Sequence, residues 1–430
     1  MKVRAVVAAL GALGAMARPG AAEPAVPVGV QELRLEDAIQ LALTRNERAR
    51  IAELDVVVAD AGVARARAAF LPVLSASGNG TLHPRDTPLD TANGALTLNQ
   101  PLIEPSAWPI YDQARHELSG QRAQSADDRR QVAFDAARAF IAVLLADQVV
   151  QAAQRKLDTA RADLADTDAQ ARAQLVSSND VTRARIGLAS SERELASDQG
   201  NLDAAYIQLA LVVKAQVVPG LVVPAALLDA GTRAVPPGDA LVARSLARRP
   251  DLAARKELAL AAHAFAREPR MRWFPTLGLV GQLTASSQAD RSGHDVTGTA
   301  ALTASWTIFD AGARSADARS RDAQAAIADL TTDSLIRTID AQVRTAAVAL
   351  VSAQQALAAA QGAMAAARKS ADETAILYHQ QLAKAIELLD ANEQRFAAEV
   401  NFAVAQFSVA SAYLALRQAM GLDPLGDPLP

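Results

Sequence analysis

The chain of 430 residues carries one sequence pattern twice, in the same order. Residues 69–74 (AFLPVL) resemble residues 272–277 (RWFPTL), which lie 203 positions later. Farther along, residues 205–206 (AY) match residues 412–413 (AY) at an offset of 207 positions. Chance gives one such match but hardly a collinear series with a slowly drifting offset, so the sequence predicts two tandem structural repeats.

The repeats divide the chain into five parts. Between the repeats lies a stretch rich in proline and glycine, which is typical of a connector. Each repeat is expected to contain short helices, two strands and a long helical hairpin. The predicted parts are a signal peptide at 1–22, a first repeat at 23–216, a connector at 217–238, a second repeat at 239–420 and a C-terminal tail at 421–430.

Each repeat contains two segments in which apolar and polar residues alternate. This period of two places one face of a strand in an apolar medium and the other in a polar one. The polar set consists of Ser, Thr, Asn and Gln with hardly a charge, which is typical of a barrel lumen. The predicted strands are 72–83, 92–104, 275–287 and 296–309. We expect Leu74, Leu96, Leu98, Leu279, Leu283 and Leu302 to face lipid, and Ser77, Thr97, Gln282 and Thr303 to face water.

Strands of this length can cross a membrane, which takes about 9–11 tilted residues. Four strands cannot close a barrel alone, because the smallest single-chain barrels have about eight and open edges are not tolerated in lipid. The chain is therefore expected to oligomerise around an axis. For the strands taken alone, a soluble antiparallel sheet packed on helices is the alternative.

Aromatic residues collect at the strand ends that face the helices. Aromatic side chains prefer the membrane–water interface, where they form girdles around barrels. Packing at a hinge is a compatible reading of the same residues. The predicted girdle consists of Phe70, Trp108, Trp273, Phe274, Trp306 and Phe309.

Two proline-free segments, 110–173 and 313–380, are too long for the helices of a compact domain. At 1.5 Å per residue each would reach roughly 100 Å. Apolar residues from Val132 to Leu157 follow the alternating spacing of four and three that marks a coiled-coil seam. A plain coiled-coil rod would explain these helices but leaves the strand pairs unexplained.

The first residues predict export from the cytoplasm. Lys2 and Arg4 precede an apolar run, and residues 20–22 (GAA) supply the small side chains of a cleavage site. The sequence contains no cysteine. This excludes a disulfide, a thiolate metal site, a cysteine nucleophile and a lipid anchor on cysteine.

Composition also narrows the possible ligands. The five histidines form no pair at helical spacing, so neither a metal site nor another cofactor is expected. The formal net charge of −4 gives no basic surface for nucleic acid, which is therefore not an expected partner.

The order of these elements, twice over, resembles the TolC-like family of outer-membrane efflux proteins. Each motif is weak alone, and their order carries the resemblance, which covers nearly all of the mature sequence. The motifs are LRLEDAI at 33–39, FLP at 70–72, WFP at 273–275, IFDAG at 308–312, and the helix-turn segments 174–181 and 381–390.

The resemblance implies an α+β membrane protein that forms a homotrimer. Four strands from each chain would build a twelve-stranded β-barrel in the cell outer membrane, continuous with a long periplasmic α-helical coiled-coil barrel. The assembly would be the exit channel of a tripartite efflux or type I secretion system and would catalyse no reaction. Its partners would be outer-membrane lipid, a periplasmic adaptor, and an inner-membrane pump of the resistance–nodulation–division (RND), ATP-binding-cassette (ABC) or major-facilitator (MFS) kind.

The resemblance also assigns roles at the periplasmic end. Glu387 and Asp390 lie three positions apart on one helix face and would form acidic rings at the entrance. Asp180 and Tyr378 would make contacts that close the gate. The adaptor-docking tips would be Gln174, Leu175, Val176 and Ser177 in the first repeat, and Gln381, Leu382 and Ala383 in the second.

The tips depart from the family pattern. The family usually has glycine in both tip turns, where Gln174 and Gln381 stand in this chain. Ala383 occupies the place of an arginine that helps to lock the tip. We therefore expect a gate held by fewer contacts.

Two alternatives come from other classes of protein. A soluble periplasmic coiled-coil scaffold or adaptor would need no lipid-facing strand surface. A secreted enzyme would need a catalytic group, but the carboxylates Glu47, Glu53, Asp55 and Asp60 lie on predicted helices without a histidine beside them.

Overall fold

The computed structural model describes residues 33–81, 91–287, 295–380 and 382–426. The predicted signal peptide, the tip residue Gln381 and the last four residues of the predicted tail lie outside these ranges.

The same order of elements occurs twice along the chain, with one additional short helix in the second copy. The first repeat comprises helices α1 (Leu35–Arg45) and α2 (Glu47–Ala68), strands β1 (Val73–Thr81) and β2 (Thr91–Ile103), and helices α3 (Ala107–Arg172) and α4 (Ser178–Val213). The second comprises helices α6 (Gly238–Arg248), α7 (Pro250–Ala266) and α8 (Glu268–Met271), strands β3 (Thr276–Ser286) and β4 (Val296–Ser305), and helices α9 (Ala313–His379) and α10 (Ala385–Ala419). The segment between them contains a helix that the sequence analysis did not predict, α5 (Ala225–Gly231).

The four strands form one antiparallel sheet in the order β1-β2-β3-β4. Leu96 stands opposite Ala76 on one side and Leu283 on the other, so leucines of different strands share a face. Thr97 stands opposite Ser75 and Gln282, and these polar residues share the other face. The register therefore carries the alternation seen in each strand across the whole sheet.

Strand β4 is shorter than the predicted 296–309. Its last residue, Ser305, pairs with Thr276, the first residue of β3. The preceding Pro275 has no backbone N–H to extend the ladder. Beyond this point Trp306 turns aside, and its indole Nε1 donates to the carbonyl oxygen of Trp273 at 3.0 Å.

Each repeat pairs one long helix with two shorter helices stacked end to end. Helix α2 begins beside the end of α4, and α7 begins beside the end of α10. Helix α3 packs on α2 and α4 along one side and on α7 and α10 along the other. Helix α9 packs on α7 and α10 on one side only. Within the described residues, no second pair of stacked helices packs against it.

The largest core lies near the level of these two joints. Phe134 and Phe140 of α3 are fully buried there, together with Leu209 of α4 and Leu414 of α10. The predicted coiled-coil seam of α3 is buried at two of its alanines, Ala136 and Ala153, and at Val132, Val143 and Leu157. Small side chains at these positions allow neighbouring helices to approach closely.

The α7–α10 joint is held by two arginines. Arg249, the N-cap residue of α7, donates to the carbonyl oxygen of Ala419 at 3.1 Å and pairs with Asp251 at 2.6 Å. Arg130 of α3 donates to the carbonyl oxygen of Gln418 at 2.7 Å. Terminal carbonyls of α10, which have no partner within the helix, are thereby satisfied.

Helix α10 ends in a Schellman motif at Gly421. The N–H of Leu422 donates to the carbonyl oxygen of Arg417 at 3.0 Å, and Gly421 has φ +75°. A β-carbon at this position would lie 2.9 Å from Cγ and 3.0 Å from Cα of Arg249. Glycine is needed here both for the left-handed conformation and for the close approach.

We expect Gly421→Ala to destabilise the α7–α10 joint. The left-handed conformation alone costs alanine about 1–2 kcal/mol, and the contact with Arg249 adds to this. Gly362→Ala is the matched control, because a β-carbon at Gly362, inside α9, meets nothing within 4 Å. That change should raise stability by about 0.5–1 kcal/mol. Thermal loss of helical circular dichroism in detergent measures both, and equal shifts would contradict the assignment.

Candidate functional site

The first helical hairpin turns at Gln174. The N–H of Leu175 donates to the carbonyl oxygen of Gln170 at 2.9 Å, which closes the end of α3. Gln174 itself has φ +59°, in the left-handed region that favours glycine. The turn thus has the backbone conformation of a glycine turn, although the residue at that position is a glutamine. Val176 and Ser177 complete the turn before α4.

The second hairpin turns in the same manner. The N–H of Leu382 donates to the carbonyl oxygen of Leu377 at 2.8 Å, and Ala383 follows before α10 begins. Leu175 and Leu382 are both exposed at the outermost point of their hairpins. Each tip therefore presents an apolar side chain at the end of a helix pair.

The predicted gate residues Asp180 and Tyr378 line one cavity of about 40 Å³ between the hairpins. The carboxylate of Asp180 accepts hydrogen bonds from the N–H of Ser177 at 3.1 Å and from its hydroxyl at 2.8 Å, and so caps α4. The hydroxyl of Tyr378 donates to Oε1 of Gln170 at 3.2 Å. The two residues thus lie near each other, while their hydrogen bonds within the protomer go to other groups.

The predicted acidic residues Glu387 and Asp390 lie on one exposed face of α10. Glu387 accepts a hydrogen bond from the N–H of Lys384 at 3.0 Å, which caps the helix start. Asp390 accepts one from the side chain of Gln394 at 2.8 Å. Leu388 is buried on the opposite face, so the packing of α10 directs both carboxylates away from the other helices.

A buried carboxylate above the tip was not predicted. Glu399 of α10 is only 4% exposed and faces Arg155 at 3.2 Å, Arg368 at 3.3 Å and Arg395 at 3.4 Å. Burial alone would raise the pKa of Glu399, but hydrogen bonds and charge from the arginines, led by Arg155, outweigh it and lower that pKa. The cluster therefore stabilises the fold above the unfolded pKa of the glutamate, and this stabilisation is lost as pH falls through the lowered pKa.

Lys156 makes a second connection of this kind. Its ammonium lies 2.7 Å from Glu194 of α4 and 2.8 Å from Glu393 of α10. Burial would lower the pKa of Lys156, but the two carboxylates outweigh burial and raise it. One cation thus ties the first hairpin to the second.

Asp163 makes a third connection between the hairpins, closer to the tips than Lys156. Its carboxylate accepts a hydrogen bond from Asn392 at 3.1 Å, and burial raises its pKa. The folded protein therefore holds this proton more tightly than the unfolded chain does. The contribution of Asp163 to stability falls as pH rises through the raised pKa.

The predicted aromatic girdle lies where the sheet meets the helices. The rings of Phe70 and Trp108 lie 4.8 Å apart between centroids, and the guanidinium of Arg314 lies 4.0 Å from the ring of Trp273. The indole of Trp306 donates its hydrogen bond to the carbonyl oxygen of Trp273, as described above. Phe274 and Phe309 are exposed beside them. The six residues therefore form a layer around one end of the sheet.

Among the described residues, no group of three or more His, Asp or Glu side chains is placed to hold a metal ion. One described helix, α9, contains a window long and apolar enough to cross a membrane by length and composition, and 11% of that window is buried in the protomer. The window is rich in alanine, and α9 continues past it at both ends.

A small four-stranded sheet continued by two long helical hairpins, in two repeats, is the architecture of an outer-membrane channel subunit. The sequence matches the profile of the family described as outer membrane efflux protein over residues 38–213 and 241–422. The chain belongs to this family. No curated protein matches the sequence.

Solved structures share the fold at low sequence identity. CusC is 19% identical, with a TM-score of 0.80 over 94% of this chain and 99% of that chain. The CmeC outer membrane channel of Campylobacter jejuni is 17% identical, with a TM-score of 0.77 over 92% of this chain and 87% of that chain. The MtrE outer membrane channel of Neisseria gonorrhoeae, in its open state, is 20% identical, with a TM-score of 0.78 over 92% and 91%.

We expect Gln174→Gly to stabilise the first tip. Glycine adopts the left-handed conformation without the cost of about 1–2 kcal/mol that a β-carbon brings. Hydrogen exchange of the amides at 172–178 should slow several-fold. Gln380→Gly is the control, because Gln380 has φ −86° and gains nothing from glycine. Unchanged exchange in Gln174→Gly, or slowing in both variants, would show that no strain is stored at Gln174.

Proposed function

We propose that three copies of this chain form a channel across the cell outer membrane. Four strands from each protomer build a twelve-stranded β-barrel, and the long helices build a periplasmic tunnel below it. The channel is the exit of a tripartite efflux or type I secretion system. It passes substrates that an inner-membrane pump delivers through a periplasmic adaptor, and it has no catalytic role.

The sheet carries this proposal. Its leucine face and its Ser/Thr/Gln face are both largely exposed in the protomer, and none of the described helices covers either of them. A sheet in water buries one face in a core, whereas a barrel wall places one face in lipid and the other in an aqueous lumen. The aromatic layer at the helical end of the sheet fits a membrane–water interface.

The edges of the sheet support a closed oligomer. Strands β1 and β4 each pair on one side only within the described residues. Unpaired N–H and C=O groups are very costly in hydrocarbon, so β1 of one protomer must pair with β4 of the next. A ring of three protomers gives a barrel of the size proposed.

The helical tips fit the docking of an adaptor. Leu175 and Leu382 are apolar and exposed at the turns, where a helical partner could cover them. The pump beyond the adaptor would be of the RND, ABC or MFS kind. CmeC and MtrE are described as outer membrane channels, which agrees with this location.

A soluble periplasmic scaffold or adaptor is the second candidate, and the exposed leucine face disfavours it. Cell fractionation separates the two. A scaffold is released with the periplasm without detergent, whereas the channel stays with the outer membrane until detergent extracts it.

We expect Leu98→Arg to block membrane assembly while Thr97→Arg leaves it nearly intact. The two residues are neighbours on β2 and lie on opposite faces. Arginine on the lipid face near the bilayer centre costs about 2–4 kcal/mol, whereas arginine in the lumen is hydrated. The yield of heat-modifiable oligomer in outer-membrane fractions measures this. Equal loss in both variants would refute the barrel.

We expect Glu387 and Asp390 to form a cation-binding constriction. Threefold symmetry gathers six carboxylates around one axis, which attracts cations. In planar bilayers, multivalent cations added on the periplasmic side should block the channel, and Glu387→Ala with Asp390→Ala should abolish the block. Glu36→Ala with Asp37→Ala removes the same charge from the exposed face of α1, far from the tips, and should leave it unchanged. A double Glu387/Asp390 variant that is still blocked would place the constriction elsewhere.

A further inference from the structure

The helices of the two repeats can be aligned in sequence, each pair with its own constant offset in residue number. Helices α3 and α9 end 207 positions apart, at Arg172 and His379, and the helices that follow also begin 207 positions apart. Helices α2 and α7 begin 203 positions apart. Residues of these helices in one repeat therefore have equivalents in the other. A difference in burial between equivalents shows which surfaces the single protomer leaves uncovered.

The two helix joints are equivalent, but only one is completed within the protomer. At the α2–α4 joint, the side chain of Asn46 donates to the carbonyl oxygen of Val212 at 3.0 Å, as Arg249 does to Ala419. At the α7–α10 joint, Arg130 also donates to Gln418. The residue equivalent to Gln418 is Leu211, whose carbonyl oxygen receives no side-chain donor from the described residues.

The apolar surface around the α2–α4 joint is also uncovered. Leu414 of α10 is 0% exposed, whereas its equivalent on α4, Ile207, is 66% exposed. Ala261 of α7 is 3% exposed, whereas its equivalent on α2, Val58, is 71% exposed. In the second repeat these positions lie against α3. In the first repeat no helix among the described residues takes the place that α3 has in the second.

Helix α9 offers the surface that is missing. The equivalent of Arg130 on α9 is Arg337, which is exposed and makes no hydrogen bond or ion pair with another described residue. Ile141 of α3 is 3% exposed, whereas its equivalent, Val348, is 70% exposed. Arg130 and Ile141 are buried on α3, and their equivalents on α9 are exposed.

We infer that Arg337 of one protomer completes the α2–α4 joint of the next protomer. Its guanidinium donates to the carbonyl oxygen of Leu211, as Arg130 donates to Gln418 within the chain. Val348 of α9 covers the side of α4 around Ile207. The first part of α9, around Ile327, covers α2. The inference rests on the proposed homotrimer and specifies which residues meet across its interface.

A matched pair of engineered disulfides tests this register. A β-carbon at Gly120 of α3 would lie 3.4 Å from Cβ of Glu257 on α7, close to the separation of about 3.5–4.5 Å in a disulfide. Their equivalents are Ile327 on α9 and Leu54 on α2. The chain has no cysteine of its own, so each pair can be oxidised without competition.

The two pairs should give different products on a denaturing gel without reductant. Gly120→Cys with Glu257→Cys should stay at the monomer mass, because both residues lie in one protomer. Ile327→Cys with Leu54→Cys should give covalent dimers and trimers, and either single cysteine should give none. Lysine cross-linking separates two kinds of failure. Trimers without the disulfide would overturn the register alone, whereas monomers throughout would overturn the proposed homotrimer itself.

Arg337 has its own test. Arg337→Gln should lower the temperature at which the purified trimer dissociates in detergent by several degrees, and Arg337→Lys should restore part of the loss. Asp333→Asn, an exposed charge one turn away on α9, should leave that temperature unchanged. An Arg337→Gln trimer that dissociates at the wild-type temperature would show that Arg337 does not complete the joint.

Discussion

Backbone hydrogen bonding in hydrocarbon is the constraint on which the rest of this structure depends. A four-stranded sheet with an apolar face can enter a membrane only if its two edge strands are paired. The protomer leaves β1 and β4 unpaired on their outer sides. In the proposed channel the need to close the sheet imposes an oligomer, and that oligomer determines which helix faces the chain can leave apolar and exposed.

In the proposed trimer the duplication meets this requirement, because the contacts made within one chain are repeated between chains. Helix α3 lies between two stacks of helices. In the proposed trimer α9 presents the equivalent surface to the next protomer. The α7–α10 joint within the chain then shows which contacts to expect where the next chain meets the α2–α4 joint. Arg130 and Arg337 show the principle: the same residue type at equivalent positions is buried and bonded in one repeat and exposed in the other.

Periodicity predicted much of this fold because alternation of apolar and polar residues is enough to define the two faces of a strand. The alternation of residue types assigns Leu96 and Thr97 to opposite faces, and the strand register agrees. The sequence pattern predicted the end of β4 four residues too late. The residue that stops the pairing is Pro275, which stands before β3, so the pattern within β4 does not reveal it. Glu399 could not be found in the sequence, because a glutamate on a long polar helix resembles a surface residue until three helices bring arginines to it.

Two charged residues of α3 that connect the hairpins have uncharged equivalents on α9. Within the chain, Arg155 and Lys156 of α3 hold carboxylates of α10. Their equivalents on α9 are Gly362 and Ala363, which carry no charge. In the proposed trimer the contacts that Arg155 and Lys156 make within the chain would therefore have no charged equivalent between α9 and the next chain. Separation of α9 from the next chain at this level would then break neither of these two charged contacts, whereas separation of the two hairpins of one chain would break both.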